Sequence, residues 1–163
     1  MIEKKNSNVS LEARAVSHSQ VEMTELVLPS HTNALDSVFG GVIVSWCDIA
    51  AAIAAQRHSG CNVVTASIDD LHFIAPVYKG WIVRLQASVN FVATSSMEVG
   101  VRVDAENPRE GLTFHTASAY LTFVALGKDG KPTRVPPLRL DTDIEKRRFD
   151  EGKKRRQLRL ERR

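Results

Sequence analysis

The sequence predicts an α+β fold in which an antiparallel sheet wraps around one long buried helix. The run from Val38 to about His58 is rich in alanine and nearly free of polar residues, so a helix there must be surrounded by protein. After Asn62 the pattern changes to alternation of apolar and polar residues, which is typical of strands that bury one face. Because the connections between these strands are short, antiparallel pairing is favoured. Curling such a sheet around the helix is the simplest way to bury it.

The predicted elements follow one another along the chain in a simple order. Residues 1–20 show no sustained period, so we expect a flexible lead-in before the domain. Clusters of glycine, proline and asparagine between the later segments predict turns. The predicted strands lie at 21–28, 62–74, 81–92, 97–106 and 113–126, and the helix lies between the first two of them. Together these elements predict a single domain over residues 21–138.

Residues 139–163 are predicted to form a basic C-terminal helix. Ten of the 22 Lys and Arg residues lie after position 144, so this tail carries a net charge of +6 and the preceding residues carry −3. Asp141 or Thr142 can cap the helix. Because the helix has few apolar residues, we expect the core to fold without it. Favourable i,i+4 pairs are predicted for Asp150 with Lys154 and for Glu151 with Arg155.

Composition excludes several classes of protein. The 163 residues, 43% of them hydrophobic, fit one globular domain. Cys47 and Cys61 form no CxxC pair and the five histidines have no metal-ligand spacing, so no disulfide framework and no metal site are expected. No Walker or GxGxxG loop is present, so no nucleotide cofactor is expected. The polar first residues lack the apolar core of a signal peptide, and Asp48 interrupts the apolar run, so we expect a cytoplasmic protein without a membrane span.

Asp48 is the most informative residue of the predicted helix. An ionised carboxylate among Val, Ile, Trp and Ala is costly to bury unless it is paired, protonated or catalytic. Its position is consistent with catalysis, and also with a carboxylate that bonds a loop or faces a subunit interface. Asn33, in the loop before the helix, can hold a water or donate to a developing oxyanion. Alternatively, it is a turn residue that bonds its own backbone.

Two groups of small residues have a functional and a structural interpretation. Gly40 and Gly41 open the helix, where free backbone amides at the positive end of the dipole suit a thioester carbonyl oxygen. They are as readily explained by close packing at the helix entry. Thr94, Ser95 and Ser96 lie between two predicted strands, where hydroxyls can approach a phosphate or pantetheine chain, but a plain turn explains them as well.

Several segments in the right order resemble the acyl-CoA thioesterases of the hotdog fold, in particular the brain acyl-CoA hydrolase type and its bacterial relatives. The resemblance covers about residues 20–138. The chain departs from the common pattern at Asp36 and Ser37, where many members have Gly followed by Asp or Asn. The matching segments are Thr32-Asn33-Ala34, Val38-Phe39-Gly40-Gly41, Trp46-Cys47-Asp48, Ala55-Gln56-Arg57-His58, Val64-Thr65-Ala66-Ser67, Phe73-Ile74-Ala75-Pro76-Val77, Thr94-Ser95-Ser96-Met97-Glu98-Val99 and Gly127-Lys128-Asp129-Gly130-Lys131-Pro132.

The resemblance implies hydrolysis of an acyl-CoA to a free acid and CoA, without metal or other cofactor. It implies a homo-oligomer, with the dimer as minimal unit and commonly a trimer of dimers. Asp48 would act as general base or nucleophile, and Asn33 would come from the partner subunit. The amides near Gly40 and Gly41 would stabilise the oxyanion. Phe39 and Trp46 would line the acyl tunnel, while Thr94, Ser95 and Ser96 would lie along the CoA chain. The densely charged C-terminal helix would bind the CoA phosphates.

The sequence also allows three other functions, each of which it supports less well than hydrolysis. A non-catalytic acyl-CoA-binding regulatory protein of the same fold would have no evident use for Asp48. An RNA-binding oligomer is disfavoured because acidic residues are interspersed with the basic ones in the tail and few aromatics accompany them. A dehydratase of the same fold requires a catalytic histidine, and the pattern assigns none.

Overall fold

The structure, a computed structural model, describes residues 11–162. Within that range the chain forms seven strands, two α-helices and two short 3-10 helices, Val16–Ser19 and Pro29–His31. The helices are α1 (Gly40–Ser59) and α2 (Asp143–Glu161). The strands are β1 (Arg14–Ala15), β2 (Val21–Leu26), β3 (Asn62–Phe73), β4 (Ile82–Val92), β5 (Ser96–Asn107), β6 (Leu112–Leu126) and β7 (Leu138–Arg139).

One antiparallel sheet contains five of these strands, in the spatial order β2-β4-β5-β6-β3. Helix α1 packs against one face of this sheet. Its contact side is a stripe of fully buried alanines, and small side chains there let the helix lie close to the sheet. The predicted α+β architecture, an antiparallel sheet around one central helix, is confirmed. The alanines are Ala50, Ala51, Ala54 and Ala55, and the sheet residues at the centre of the same core include Val83, Leu85, Val99 and Leu121.

Both ends of α1 lie close to the predicted ones. The helix begins after Phe39, which provides no side-chain cap. It ends at Gly60, whose backbone takes a left-handed φ of 68° and whose amide donates to the Gln56 carbonyl at 2.8 Å. No helix within residues 11–162 has the length and apolar character needed to cross a membrane.

The segment expected to be a flexible lead-in differs from that expectation in its described half, residues 11–20. Strand β1 pairs in parallel with β7, and a 3-10 helix follows it. Ser19, fully buried, donates to the Val16 carbonyl at 2.9 Å and accepts from the Val89 amide at 3.0 Å. A two-residue strand and a single turn are too short to show a period, which is why the pattern missed them. Residues 1–10 lie outside the described range.

Helix α2 packs on the face of the sheet opposite α1. Thr142 caps it, as predicted, and accepts from the Glu145 amide at 3.2 Å. The Phe91 and Phe149 rings pack with centroids 4.9 Å apart. The expected Glu151–Arg155 pair is not what the structure shows, because Arg155 instead makes two hydrogen bonds to Glu98 on β5, of 2.7 and 3.1 Å.

Candidate active site

Asp48 lies in the first half of α1, half-buried, beside the edge strand β3. Its Oδ1 accepts a hydrogen bond of 2.7 Å from the Thr65 hydroxyl. Thr65 precedes a register irregularity in the pairing of β3 with β6, between Thr65 and Ser67, and such irregularities re-aim side chains. The second carboxylate oxygen has no hydrogen-bond donor among the described residues. One oxygen is therefore held in place, and the other is available to a substrate or a water.

The face of α1 that carries Asp48 is more open than the sequence predicts. Ile49 is 50% exposed, and Ile68 on the neighbouring strand β3, which pairs with the core residue Leu121, is 44% exposed. The expectation that the helix is surrounded on all sides is therefore wrong for one chain alone. The reason is that β3 is the last strand of the sheet, so nothing in the described chain covers the helix beyond it.

Asn33 forms the centre of its own loop. Its Oδ1 accepts from the Leu35 amide at 2.9 Å and from the Ser37 amide at 3.3 Å, and its Nδ2 lies 2.9 Å from the Ser37 hydroxyl. Asp36, in the same loop, takes a left-handed φ of 57°. Within one described chain Asn33 is thus a turn residue without a hydrogen bond to Asp48, and one hydrogen of its amide group is left for another acceptor.

The amides of Gly40 and Gly41 are the first two of α1. Neither donates to an acceptor in the described part of the chain, and the first turn contains no acidic residue. A Cβ at Gly40 would come within 3.2 Å of the Phe73 ring, whereas a Cβ at Gly41 would meet no heavy atom within 4 Å. Close packing therefore explains Gly40, while the space beside Gly41 leaves a free N–H at the positive end of the helix dipole.

The two aromatic residues predicted to line an acyl tunnel differ in exposure. Phe39 is 53% exposed. Trp46 is 7% exposed and packs edge-on against the His31 ring with centroids 5.1 Å apart. His31 Nδ1 in turn accepts from the Leu28 amide at 3.0 Å. In one chain Trp46 therefore supports the loop that carries Asn33, and Phe39 presents an open apolar surface.

Thr94 and Ser95 lie in the turn between β4 and β5, and Ser96 is the first residue of β5. Their carbonyls accept from the Val135, Ala125 and Ala93 amides at 3.0, 2.9 and 2.8 Å respectively. No hydrogen bond within residues 11–162 joins this turn to Asp48. The backbone role of the turn is thus clear, and a role of its hydroxyls toward a ligand stays a prediction.

The cysteine next to Asp48 is not a nucleophile. Burial, and secondarily the Asp48 charge, raises the pKa of the Cys47 thiol to about 12, so the thiol stays protonated at neutral pH. Within residues 11–162 no cluster of three or more His, Cys, Asp or Glu side chains is arranged to hold a metal ion.

Thr65 is the residue that our sequence analysis missed as part of the site. The sequence marks it only as part of Val64-Thr65-Ala66-Ser67, one of the segments that resemble the thioesterases. A hydroxyl in an alternating strand looks like an ordinary solvent-facing position, so only its placement opposite Asp48 reveals the pair.

Comparisons with known proteins identify the family of the chain. Residues 35–112 match the model of the thioesterase superfamily. The chain is 39% identical over 144 residues to the cytosolic acyl coenzyme A thioester hydrolase of Rattus norvegicus, covering 87% of this chain and 38% of that protein. The chain thus spans well under half the length of that mammalian relative. It is 40% identical over 134 residues to YkhA of Bacillus subtilis, an uncharacterized acyl-CoA thioester hydrolase, covering 82% of this chain and 78% of that protein.

Solved structures of similar proteins have the same fold. An acyl-CoA hydrolase from Staphylococcus aureus, in complex with butyryl coenzyme A, coenzyme A and coenzyme A disulfide, has a TM-score of 0.86 at 37% identity over 92% of both chains. A hexameric acyl-CoA thioesterase has a TM-score of 0.89 at 36% identity, covering 93% of this chain and 97% of that one. The Staphylococcus aureus enzyme was also solved as separate alanine variants of an asparagine, of an aspartate 15 residues further on, and of a threonine 17 residues beyond that. The chain therefore belongs to the thioesterase superfamily and has its hotdog fold.

Proposed function

We propose that this protein hydrolyses the thioester of an acyl-CoA to a free carboxylic acid and CoA, with Asp48 as the catalytic carboxylate. The observation that carries the proposal is the Asp48–Thr65 hydrogen bond on the open face of α1. A second observation supports it. Asn33, Asp48 and Thr65 are separated by 15 and 17 residues, the same intervals as the three residues replaced by alanine in the Staphylococcus aureus enzyme.

The free oxygen of Asp48 performs the reaction in either of two ways. As general base it removes a proton from a water that attacks the thioester carbonyl carbon. As nucleophile it attacks that carbon itself, the carbon–sulfur bond breaks and CoA leaves as its thiolate, and water then hydrolyses the resulting mixed anhydride. In the general-base route the same carbon–sulfur bond breaks after water has added. In both cases Thr65 holds the other oxygen and so fixes the plane of the carboxylate. The amides of Gly40 and Gly41 stabilise the negative charge that develops on the carbonyl oxygen.

The site is completed by a second copy of the chain. Strand β3 is 12 residues long and forms the edge of the sheet, and it is flanked by exposed apolar side chains. A long apolar edge strand is a template for pairing with another chain. In this dimer, Asn33 of the partner subunit uses its free amide hydrogen to orient the water or the carbonyl group at Asp48. The hexameric structure among similar proteins supports a homo-oligomer built from such dimers, which we propose to be a trimer of dimers.

The substrate extends from this centre in two directions. Phe39 and Trp46 form the wall of the acyl tunnel, and Thr94, Ser95 and Ser96 lie along the CoA chain. The complex of the Staphylococcus aureus enzyme with butyryl coenzyme A supports the substrate class. The alternative of an RNA-binding tail is weakened because Arg155 and Arg159 of α2 are paired with Glu98 and Asp69 at 2.7 Å.

The first test replaces Asp48 with asparagine and measures release of free thiol from acyl-CoAs of increasing chain length. Since the change keeps the size of the side chain and removes the base, kcat should fall at least about a hundredfold. Asp150→Asn is the matched control, because Asp150 is exposed on α2 and makes no described ion pair. Normal turnover in a folded Asp48→Asn protein would contradict the proposal, and acyl-CoA binding by the wild type without thiol release would favour a regulatory protein.

The second test asks which subunit supplies each residue. Asn33→Ala and Asp48→Ala proteins, each of which we expect to be inactive alone, are refolded together so that their subunits mix. If the site is shared, half of the dimers are mixed and each has one intact site, so roughly a quarter of wild-type activity should return. If one chain supplies both residues, every site keeps a lesion and mixing restores nothing. Mass spectrometry verifies that the subunits have exchanged.

A further inference from the structure

A second group of reactive side chains lies on the face of the sheet opposite Asp48. The Ser118 hydroxyl on β6 lies 3.1 Å from His115 Nε2. His115 Nδ1 lies 3.2 Å from Asp104 Oδ1 on β5. These contacts follow the order of nucleophile, base and orienting carboxylate that hydrolases of several unrelated folds share. The core neighbours of Ser118 on β6, Ala117 and Ala119, are buried in the core with α1, so Ser118 faces away from it.

A β-bulge brings His115 and Ser118 to the same face. Residues three apart in a regular strand point to opposite sides of the sheet. Here the register shifts, since Val103 pairs with Ala117 while Asp104 pairs with His115, and Thr116 is the extra residue. Bulges are common beside active sites because they re-aim a side chain in this way. Without this bulge the three groups would not meet.

The hydrogen-bond partners fix the direction of proton transfer. Asp104 Oδ2 accepts from Arg102 Nε at 3.0 Å, and a carboxylate that accepts from a guanidinium has only acceptor positions to offer His115. His115 Nδ1 must then carry the hydrogen that it donates to Oδ1. In the neutral ring this leaves Nε2 with a lone pair, and Ser118 donates its hydroxyl hydrogen to it. His115 is therefore in the tautomer that a general base for Ser118 requires.

A groove of about 540 Å³ provides room for a substrate next to Ser118. Its size is within the range of small-molecule sites. Ser118 and Arg102, which are direct cross-strand partners, both line it, as do Tyr120 and residues of α2. Arg102 uses only Nε for Asp104 within the described chain, so its two terminal nitrogens can donate to an oxygen at the groove. The guanidinium thus supplies the positive charge that a developing oxyanion needs.

We propose that Ser118, His115 and Asp104 form a second acyl-transfer site, which accepts the acyl group of small esters or thioesters and does not use Asp48. Ser118 Oγ forms a bond to the acyl carbon while its proton moves to His115 Nε2. The bond from that carbon to the leaving oxygen or sulfur breaks, and the leaving group takes the proton from His115. Water then attacks the acyl-serine with His115 as base, which releases the acid and restores Ser118.

The test treats the full-length protein with an alkyl fluorophosphonate, which forms a phosphorus–oxygen bond to an activated serine and loses fluoride. Wild type should gain one adduct per chain, mapped to Ser118 by peptide mass spectrometry, and Ser118→Ala should gain none. His115→Gln, which keeps polarity and removes the base, should react at least about a hundredfold more slowly. Ser88→Ala is the matched control, because Ser88 borders the same groove without a described hydrogen bond to a histidine, and labelling should be unchanged.

A second measurement tests the acyl chemistry itself. The same proteins are given p-nitrophenyl acetate, and wild type should release nitrophenol with a rate that depends on Ser118 and His115. The proposal is overturned if no adduct forms on Ser118, if the adduct forms equally fast in His115→Gln, or if unlabelled wild type cleaves the ester no faster than Ser118→Ala. Both readouts compare wild type with variants of Ser118 and His115, and neither uses acyl-CoA or a change at Asp48. Failure of the proposed thioesterase function would therefore not change how these results are interpreted.

Discussion

Replacing Gly152 with alanine tests how closely α2 lies on the sheet. Gly152 is buried in α2, and a Cβ built there would lie 2.9 Å from Phe91 Cβ and 3.0 Å from Glu98 Oε1. The first of these atoms is next to the β4 backbone and cannot rotate away. We therefore expect the added methyl group to push α2 away from the sheet.

Two opposing terms decide the size of this effect. Alanine in place of glycine within a helix stabilises it by about 1 kcal/mol. Overpacking a close contact costs about 1–3 kcal/mol. Displacing the helix also weakens the two hydrogen bonds between Arg155 and Glu98, whose side chain is 2% exposed, and the contact of Arg155 with the Tyr120 ring at 3.7 Å. The unfavourable terms are larger, and we expect a net loss of roughly 1–2 kcal/mol in the docking of α2.

Limited trypsin digestion measures the docking directly, since α2 contains many Lys and Arg residues. Cleavage requires local opening, and a loss of about 1.4 kcal/mol corresponds to about tenfold faster cleavage within the helix. Asp150→Ala is the matched control, because it improves helix propensity at an exposed position without touching the sheet. Suppose instead that Gly152→Ala is cleaved as slowly as Asp150→Ala or the wild type. Helix propensity then dominates, and the close packing of α2 against β4 and β5 at Gly152 is refuted.

Three further predictions concern single side chains of α1 and β3. Thr65→Val removes the hydroxyl that binds Asp48, so kcat should fall about tenfold, whereas Thr65→Ser should retain activity; equal kcat in both would contradict the positioning role. Because the pKa of Cys47 is raised to about 12, a thiol reagent at pH 8 should modify Cys61 and leave Cys47 unmodified in folded protein, as peptide mass spectrometry would show. Burial lowers the pKa of His58 below its ordinary value of 6.5, so the unfolded chain binds the proton more tightly. The free energy of unfolding should therefore fall as the pH drops below 6.5, and His58→Gln should reduce that slope at fixed protein concentration.

The fold was predictable because its main elements have strong periods. The alanine-rich run of α1 and the alternation of Met97, Val99, Val101 and Val103 each point to one element and one buried face. The short elements before residue 20 and the bulge at Thr116 have no such signal. A bulge adds one residue to a strand, and the sequence pattern on either side of it looks like ordinary alternation.

Of the candidate site, the sequence indicates the charged residue and misses its partner. Asp48 stands out because a carboxylate in an apolar run has a high cost that something must offset. Thr65 does not stand out, because threonine has a high intrinsic preference for strands and needs no functional explanation there. The contacts of α2 with the sheet were not predicted for a similar reason. These contacts are made by Gly152, Phe149, Arg155 and Arg159, which do not form the periodic apolar face that would predict packing against a sheet.

The position of α2 changes how its positive charge can act on a substrate. The helix lies on the face of the sheet opposite α1, so within one chain its basic residues are separated from Asp48 by the sheet itself. Its last turns reach the edge strand, where Arg159 binds Asp69 of β3 at 2.7 Å. If a second copy pairs along β3, these last turns are the part of α2 nearest to the partner. If the tail binds CoA phosphates, it therefore contacts the substrate at the site that contains Asp48 of the partner subunit, and not the substrate at the Asp48 of its own chain. Any contribution of the tail to affinity then depends on assembly.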